Sequence, residues 1–328
     1  MKRLATWAVA LVCAASIISG ISYLATAPTA VRANLLLAPV GGGSTFQGPG
    51  DVLSTWVFWA GNRAFTAAAA AAHNPIMKLK RTSDSHKCDI LAASSGAMGN
   101  TGNCSTGGDN GTLWTTWCSA TVCEIDPADS TTVVYDQSGG SYATGNWSGF
   151  TAVTVIDQTT GCLLLNSTGG GNEVFTPLSA AATLPVQPFT YSTIAKHTGQ
   201  TATATFYANN GLSGTTLVSL GHAGSANTWI AQADAGVPAT FTASDNVMHS
   251  INFMINAGAS TVRVDSTNTA LVTGGSNPGT VFWAVGSNAI PPVGSLCEWG
   301  MLGGDRSSGF AAMSTNQHTY GGPNAGGF

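Results

Sequence analysis

From Ala152 to Met301 the chain is a succession of short runs rich in Val, Ile, Leu, Thr and aromatic residues, each closed by Gly, Asn or Pro. Runs this short do not complete a helix, and their residue types suit pleated, half-buried surfaces, so this half is expected to fold as strands. They fall at 152–156, 162–166, 189–195, 201–207, 216–220, 228–231, 250–255, 261–264, 270–273, 280–285 and 296–301. Asn256–Ala257–Gly258–Ala259 is a hairpin connection between two of them. The pattern predicts an all-β fold, a two-sheet β-sandwich or jelly roll. No fixed period points to a propeller or solenoid.

The first half is less regular. Residues 34–62 are Gly-rich and aromatic without a sustained period, and 95–115 read as a Gly/Asn/Ser loop. Arg63 to His73 contains a six-alanine run that predicts one short helix, stopped by Asn74–Pro75. Ile76 to Arg81 alternates apolar and basic residues as a strand does, and Thr131 to Tyr135 reads as another, ending in the turn run Asp136–Gln137–Ser138–Gly139–Gly140.

Lys2 and Arg3, an apolar run from Ala5 to Ala25 and the small residues around Ala30–Val31–Arg32–Ala33 describe a secretory signal peptide over residues 1–33. The alternative is an uncleaved membrane anchor, since the run approaches spanning length. Val12 before Cys13 argues against a lipoprotein site. Residues 34–328 then form a single domain, placed outside the cell, in a periplasm or at the cell surface, with no membrane contact after processing.

Without Lys2, Arg3 and Arg32 the 11 basic residues become 8, against 15 acidic, a net charge of −7. An acidic chain with no basic stripe lacks the footprint for nucleic acid or anionic lipid. Charged residues are only 8% of the chain, so its solvent faces must be built from hydroxyls and amides, a surface suited to neutral glycans. Six cysteines follow the leader, an even number that favours disulfides in an exported chain over zinc, whose CxxC or HxxxH spacings do not occur. Six cysteines allow fifteen connectivities. Cys118–Cys123 is compatible with one small loop. Cys162 and Cys297 lie in the first and last strands of the second half, which often sit side by side in such a sandwich, so they are expected to be bonded. Cys88–Cys104 follows by elimination. No metal or cofactor is expected.

An ordered set of motifs then stands out: Gly48–Pro49–Gly50–Asp51, Asn62–Arg63–Ala64–Phe65, Leu79–Lys80–Arg81–Thr82–Ser83–Asp84, Trp117–Cys118 to Cys123, and Val134–Tyr135–Asp136–Gln137–Ser138–Gly139. Their order and spacing resemble the first half of the arabinofuranosidase B catalytic domain, a glycoside hydrolase family of β-sandwich fold, over residues 46–140. The second half, 150–328, looks like a laminin-G or concanavalin-A-like sandwich. Cys297–Glu298–Trp299–Gly300–Met301 is similar to its last core strand, followed by a tail from Ser307 to Tyr320. The resemblance implies an extracellular glycan context and, if active, α-L-arabinofuranosidase activity.

Glycoside hydrolysis requires two carboxyl groups flanking the scissile bond. The family's nucleophile is a Glu after a Tyr-Gly-Asn-Ala-like run, beside a cysteine pair. Here the matching stretch is Leu220–Gly221–His222–Ala223–Gly224, which places Gly224 at the nucleophile and Thr216 and Leu217 at the cysteines. The acid position falls on Ser287. Neither Gly nor Ser can form the glycosyl ester or move the proton at a useful pKa. The remaining carboxylates are Glu298, beside Cys297 and Trp299, with Asp245 and Asp234 as weaker candidates. Asp245 reads as a turn cap, Asp265 and Asp234 as Asx-turns, Asp305–Arg306 as a surface ion pair, and Asp136 as a turn-fixing residue. His197, His222 and His249 are isolated in sequence and read as ordinary polar residues. Trp147, Trp229, His222 and Asn288 are the expected ligand-binding residues, because aromatic faces stack on sugars and amides bond their hydroxyls. The expected function is recognition of a polysaccharide, possible arabinose-containing glycans included, by a catalytically impaired relative. The alternatives are an active arabinofuranosidase with relocated carboxylates and a non-catalytic envelope or adhesion module.

Overall fold

The computed structural model describes residues 46–119, 121–126, 128–129, 134–139, 147–148, 154–165, 176–177, 187–198, 203–209, 218–233, 239–271, 283–284, 293–321 and 328. In chain order its strands begin with β1 (Trp56–Gly61), β2 (Pro75–Arg81), β3 (Lys87–Ala92), β4 (Met98–Gly102), β5 (Cys123–Ile125), β6 (Trp147–Ser148) and β7 (Thr154–Ile156). They continue through β8 (Leu163–Leu165), β9 (Thr176–Pro177), β10 (Phe189–His197), β11 (Thr203–Asn209), β12 (Val218–Ala223) and β13 (Thr228–Ala233). The last are β14 (Ala239–Thr242), β15 (His249–Ile255), β16 (Ser260–Val264), β17 (Thr267–Leu271), β18 (Trp283–Ala284) and β19 (Gly294–Gly303). Helix α1 (Pro49–Val52) precedes them, and α2 (Ala67–Ala71), α3 (Trp114–Cys118) and α4 (Phe310–Tyr320) interrupt or follow them.

Twelve strands make one sheet, ordered β17-β16-β15-β10-β19-β8-β7-β5-β2-β3-β4 with β1 also paired to β19, and five make a second, ordered β14-β13-β12-β11-β18. Strands β6 and β9 pair separately. Tyr191, Phe253 and Met301 of the large sheet share a core with Leu220, Trp229 and Phe241 of the smaller one, so the protein is a β-sandwich. Its helical content exceeds the single short helix expected. The Ser307–Tyr320 tail contains the eleven-residue α4, strand β4 and the start of helix α3 fall in the stretch read as a loop, and strand β3 was not expected.

Strand β19 organises the large sheet. Along one edge it pairs with β10 over Gly294 to Gly303. Its other edge is shared, β8 taking Gly294 to Leu296 and β1 taking Glu298 to Leu302. Cys297 lies where β8 gives way to β1, and its carbonyl accepts the Asn62 amide at 2.8 Å. Cys162, one residue before β8, therefore falls opposite Cys297, and the two are bonded. Cys88–Cys104 and Cys118–Cys123 are the other disulfides, making the three pairs expected. Residues Gly294 to Leu302 are all buried, Ser295 and Glu298 included, so β19 shows no alternation of buried and exposed positions.

Helix α4 packs on this sheet with an unusual buried face. Phe310 and Met313 are apolar, but Ser314, Asn316 and Gln317 are buried beside them. Gln317 Oε1 accepts from Ser250 Oγ at 2.6 Å and Asn252 Nδ2 at 3.0 Å, and its Nε2 donates to Ser192 Oγ at 3.1 Å. Ser192 in turn donates to Asn252 Oδ1 at 2.7 Å. A network this well connected offsets the desolvation of its members. Among the described residues, no helix is long and apolar enough to cross a membrane.

The Cys162–Cys297 bridge closes a loop with a sequence separation of 135, against 5 for Cys118–Cys123. Replacing both cysteines of the long bridge by Ser is expected to cost about 2–5 kcal/mol in denaturant unfolding, more than the same change in the short one. Equal losses would contradict the placement of Cys297 at the organising strand.

Candidate functional site

Glu298 is the carboxylate of greatest interest in the sequence, and the fold places it in the middle of β19. Arg63, just beyond β1, runs alongside it: Nε donates to Oε1 at 2.8 Å and Nη2 to Oε2 at 3.0 Å. Both side chains are buried, at 0% and 1% exposure. Glycines make the room. A Cβ on Gly61 would lie 2.9 Å from the Glu298 Cβ, and one on Gly321 would lie 2.4 Å from Oε1. A general acid or nucleophile must reach its substrate. Glu298 has both oxygens on a guanidinium and its side chain is 1% exposed, the geometry of a buried ion pair.

Asp245, in the turn between β14 and β15, has a different setting. Its backbone N–H donates to Asn227 Oδ1 at 2.8 Å, and Asn227 N–H returns a bond to Asp245 Oδ2 at 3.0 Å, clasping two turns together. Asp245 Oδ1 is 3.1 Å from His197 Nδ1 at the end of β10 and 3.2 Å from His222 Nε2 on β12. The two imidazoles stack at 3.5 Å and 8°. Gly224, left-handed at φ 76°, donates its N–H to His222 Nδ1 at 3.1 Å. That bond fixes the tautomer: Nδ1 accepts, so Nε2 carries the proton and faces Asp245.

Burial is the main cause holding both imidazoles below their usual range. For His197 the neighbouring His222 adds to it, and Asp245 opposes the shift in both. Burial pushes Asp245 up, but the Asn227 N–H and the two histidines outweigh it and hold the carboxyl below its usual range. The three side chains bring ligand-type atoms within 4.8 Å of one another. They do not fit a cation as arranged, because stacked rings direct their lone pairs along parallel planes and His222 Nε2 bears a proton.

A second His–Asp–His unit lies beside the first. His249 Nδ1 is 2.7 Å from Asp265 Oδ2 and its Nε2 is 2.9 Å from the Ser244 carbonyl. With an acceptor at each nitrogen, the ring is satisfied as the imidazolium. Burial alone would lower His249, but bonds to Asp265 and Ser244 and the charges of Asp265 and Asp245 raise it above the usual imidazole range. His318 of α4 closes the unit, with Nε2 3.1 Å from Asp265 Oδ1. Asp265, expected as an Asx-turn residue, instead anchors two histidines; neither it nor Asp245 is a simple turn former.

The first half contains an ionic face that sequence reading overlooked. Lys80 Nζ lies 3.0 Å from Glu124, Lys87 Nζ lies 2.9 Å from Asp126 and 3.0 Å from Asp129, and Tyr135 donates its hydroxyl to Asp89 at 2.7 Å. Arg81 pairs with Asp84 and stands 5.1 Å over the Trp117 ring. The signal was available. In a chain with 8% charged residues, the span from Lys78 to Asp129 holds a concentrated share of them.

Other expected residues fare unevenly. Trp229 and His222, two of the expected ligand-binding residues, are fully buried, so neither presents an open face to a sugar. Asp136 fixes its turn as expected, accepting from Trp59 N–H at 3.1 Å and Ser138 N–H at 2.9 Å. Trp147 lies in β6, with its side chain outside the description; Asp234, Ser287 and Asn288 lie outside the described residues.

No family model matches the sequence. No curated protein matches it either. Among solved structures, the chain is similar to an arabinofuranosidase complexed with arabinofuranosyl-alpha-1,2-xylobiose, at a TM-score of 0.54 and 15% identity. That match covers 80% of this chain and 62% of the arabinofuranosidase, so the chain spans less than two thirds of its length. A Trypanosoma rangeli sialidase in complex with sialic acid matches at a TM-score of 0.38 and 12% identity, over 60% of this chain and 33% of the sialidase. Domain 4 of an extracellular arabinanase from Geobacillus stearothermophilus, in complex with arabinotriose, matches at 0.35 and 14%, over 51% of this chain and 82% of that domain. The likeness to the arabinofuranosidase, at 15% identity, is one of β fold alone, and fold does not carry activity.

The signs of the two pKa shifts define a pH window for the second unit. A raised His249 stabilises the fold below the free imidazole pKa of about 6.5, and this contribution fades as pH rises through the higher folded value. Asp265 is held below its usual range by His249 and the Ser250 N–H despite burial, so its contribution fades as pH falls through that low value. Unfolding midpoints between mildly acidic and alkaline pH should show a loss that His249→Gln removes. An unchanged slope in the variant would contradict the assignment.

Proposed function

We propose that this chain is an exported β-sandwich that recognises a neutral, arabinose-containing polysaccharide without cleaving it. The carrying observation is Glu298: the one acid placed by sequence in the last core strand is buried and bonded through both oxygens to Arg63. In the family that the first half resembles, the nucleophile and acid positions correspond to Gly224 and Ser287, which have no carboxyl group. Asp245 is committed to two histidines and a turn clasp. Three disulfides and the charged, then apolar, leader support export. We assign sugar contact to Trp147 and Asn288 on sequence grounds alone, an aromatic face to stack on a sugar and an amide to bond its hydroxyls. A jelly-roll strand order belongs to the same reading.

Hydrolysis of terminal arabinofuranosyl groups is the rival reading, and it draws on the likeness to the arabinofuranosidase, a protein solved with an arabinofuranosyl-xylobiose. An envelope or adhesion module without a sugar ligand is a third. Thermal unfolding with arabinoxylan oligosaccharides, run beside nitrophenyl arabinofuranoside turnover, separates them. The proposal predicts a rise in melting temperature that Trp147→Ala abolishes, with no nitrophenol released. Release at enzymatic rates would establish hydrolysis, and the absence of any shift would leave the adhesion reading.

A further inference from the structure

His222 is the pivot of a device that the glycan reading does not require. Its Nδ1 is the ring's unprotonated nitrogen and holds the Gly224 N–H at 3.1 Å. That bond pins the start of the turn over residues 224–227. Asn227, at the end of the turn, is clasped to Asp245 by two reciprocal bonds, and Asn246 N–H donates to the His197 carbonyl at 2.7 Å. The turns over 224–227 and 243–248 are therefore held to the sheet through one pair of stacked imidazoles and one carboxylate.

We propose that this cluster is an acid-sensitive clasp: protonation of His222 at Nδ1 breaks its bond to Gly224, sets a charge against the stacked His197 ring, and releases the two turns. The added proton has no other site on the His222 ring. The new N–H then confronts the Gly224 N–H, converting an acceptor–donor contact into a donor–donor one. A second proton on His197 is opposed by the first, because the rings are 3.5 Å apart.

Among the described residues, Asp245 is the carboxylate in contact with the pair, and it favours a proton on either ring. Behind it stands His249 on β15, which disfavours further positive charge. Trp229 meets both rings edge-on at 6.4 and 6.3 Å and shuts out water on the apolar side. Lys196 precedes His197 on β10 and by strand alternation belongs to the opposite face. Burial holds both imidazoles below their usual range, which agrees with a clasp closed at neutral pH and opened by acid. The neighbouring unit has the opposite sign: His249 gains from its proton, so acid leaves the α4 attachment in place.

Hydrogen exchange of the full chain at about pH 7.5 and about pH 5, on either side of the ordinary imidazole pKa, tests the clasp after correction for intrinsic rates. Segments 218–229 and 243–249 are expected to lose protection several-fold at the lower pH while 310–320 does not. His222→Gln, whose amide can donate to Asp245 but takes up no proton, should abolish the step. Equal protection at both pH values, or the same step in His222→Gln, overturns the proposal. Should the variant not fold, wild-type imidazole and amide NMR decides: the Gly224 amide must shift with the His222 midpoint, and an amide that stays put as His222 titrates overturns it.

Discussion

The structure depends on how β19 accommodates a charge. Nine of its ten residues are buried, and Glu298 stands in the middle with Arg63 as its counterion. Taking a carboxylate and a guanidinium out of water costs several kcal/mol each, which only bidentate geometry and a fixed surrounding repay. The surrounding here is specific: Gly61 and Gly321 leave space that any side chain would fill, and Thr193 Oγ1 bonds the Glu298 carbonyl at 2.8 Å. The pair ties β1 to β19 at the point where the Cys162–Cys297 bridge ties β8 to it. Strand order, disulfide and ion pair are thus parts of one junction.

Around that junction the protein buries polarity without many charges. Ser192, Ser250, Asn252 and Gln317 bond one another beneath α4, and two carboxylates each hold two histidines. Hydroxyl and amide groups carry a smaller desolvation cost than ions and can be satisfied by short networks. The same economy of charge leaves few acids for chemistry. Those described in the second half are engaged by Arg63, by histidines or by their own turns.

What the sequence made legible follows from locality. Strands β10 to β13, β15 and β16 alternate or run apolar between clear turn residues, whereas β14 falls outside the expected runs and β17 begins three residues before the run expected there; the Cys162–Cys297 pairing follows once the first and last strands are neighbours. Helix α4 was read as a tail because its buried face carries Ser314, Asn316 and Gln317, so the apolar stripe that announces a helix is missing. Strand β1 escaped because Trp56–Gly61 is nearly all buried and shows no alternation. The histidine units were invisible for another reason: His197, His222 and Asp245 are far apart in sequence and meet only where the ends of β10 and β12 and the turn between β14 and β15 come together. Glu298 stands out in the sequence beside Cys297 and Trp299, but its partner, 235 residues away, could not be seen.

A double-mutant cycle on Arg63 and Glu298, read by denaturant unfolding, tests the central claim that this carboxylate is a structural group. The account predicts that Arg63→Met and Glu298→Met each cost about 3–5 kcal/mol, since each strands a buried charge, and that the double variant regains most of the loss. Additive losses, or a Glu298→Met protein as stable as the wild type, would show that the pair does not hold the junction and would return Glu298 to the list of possible catalysts.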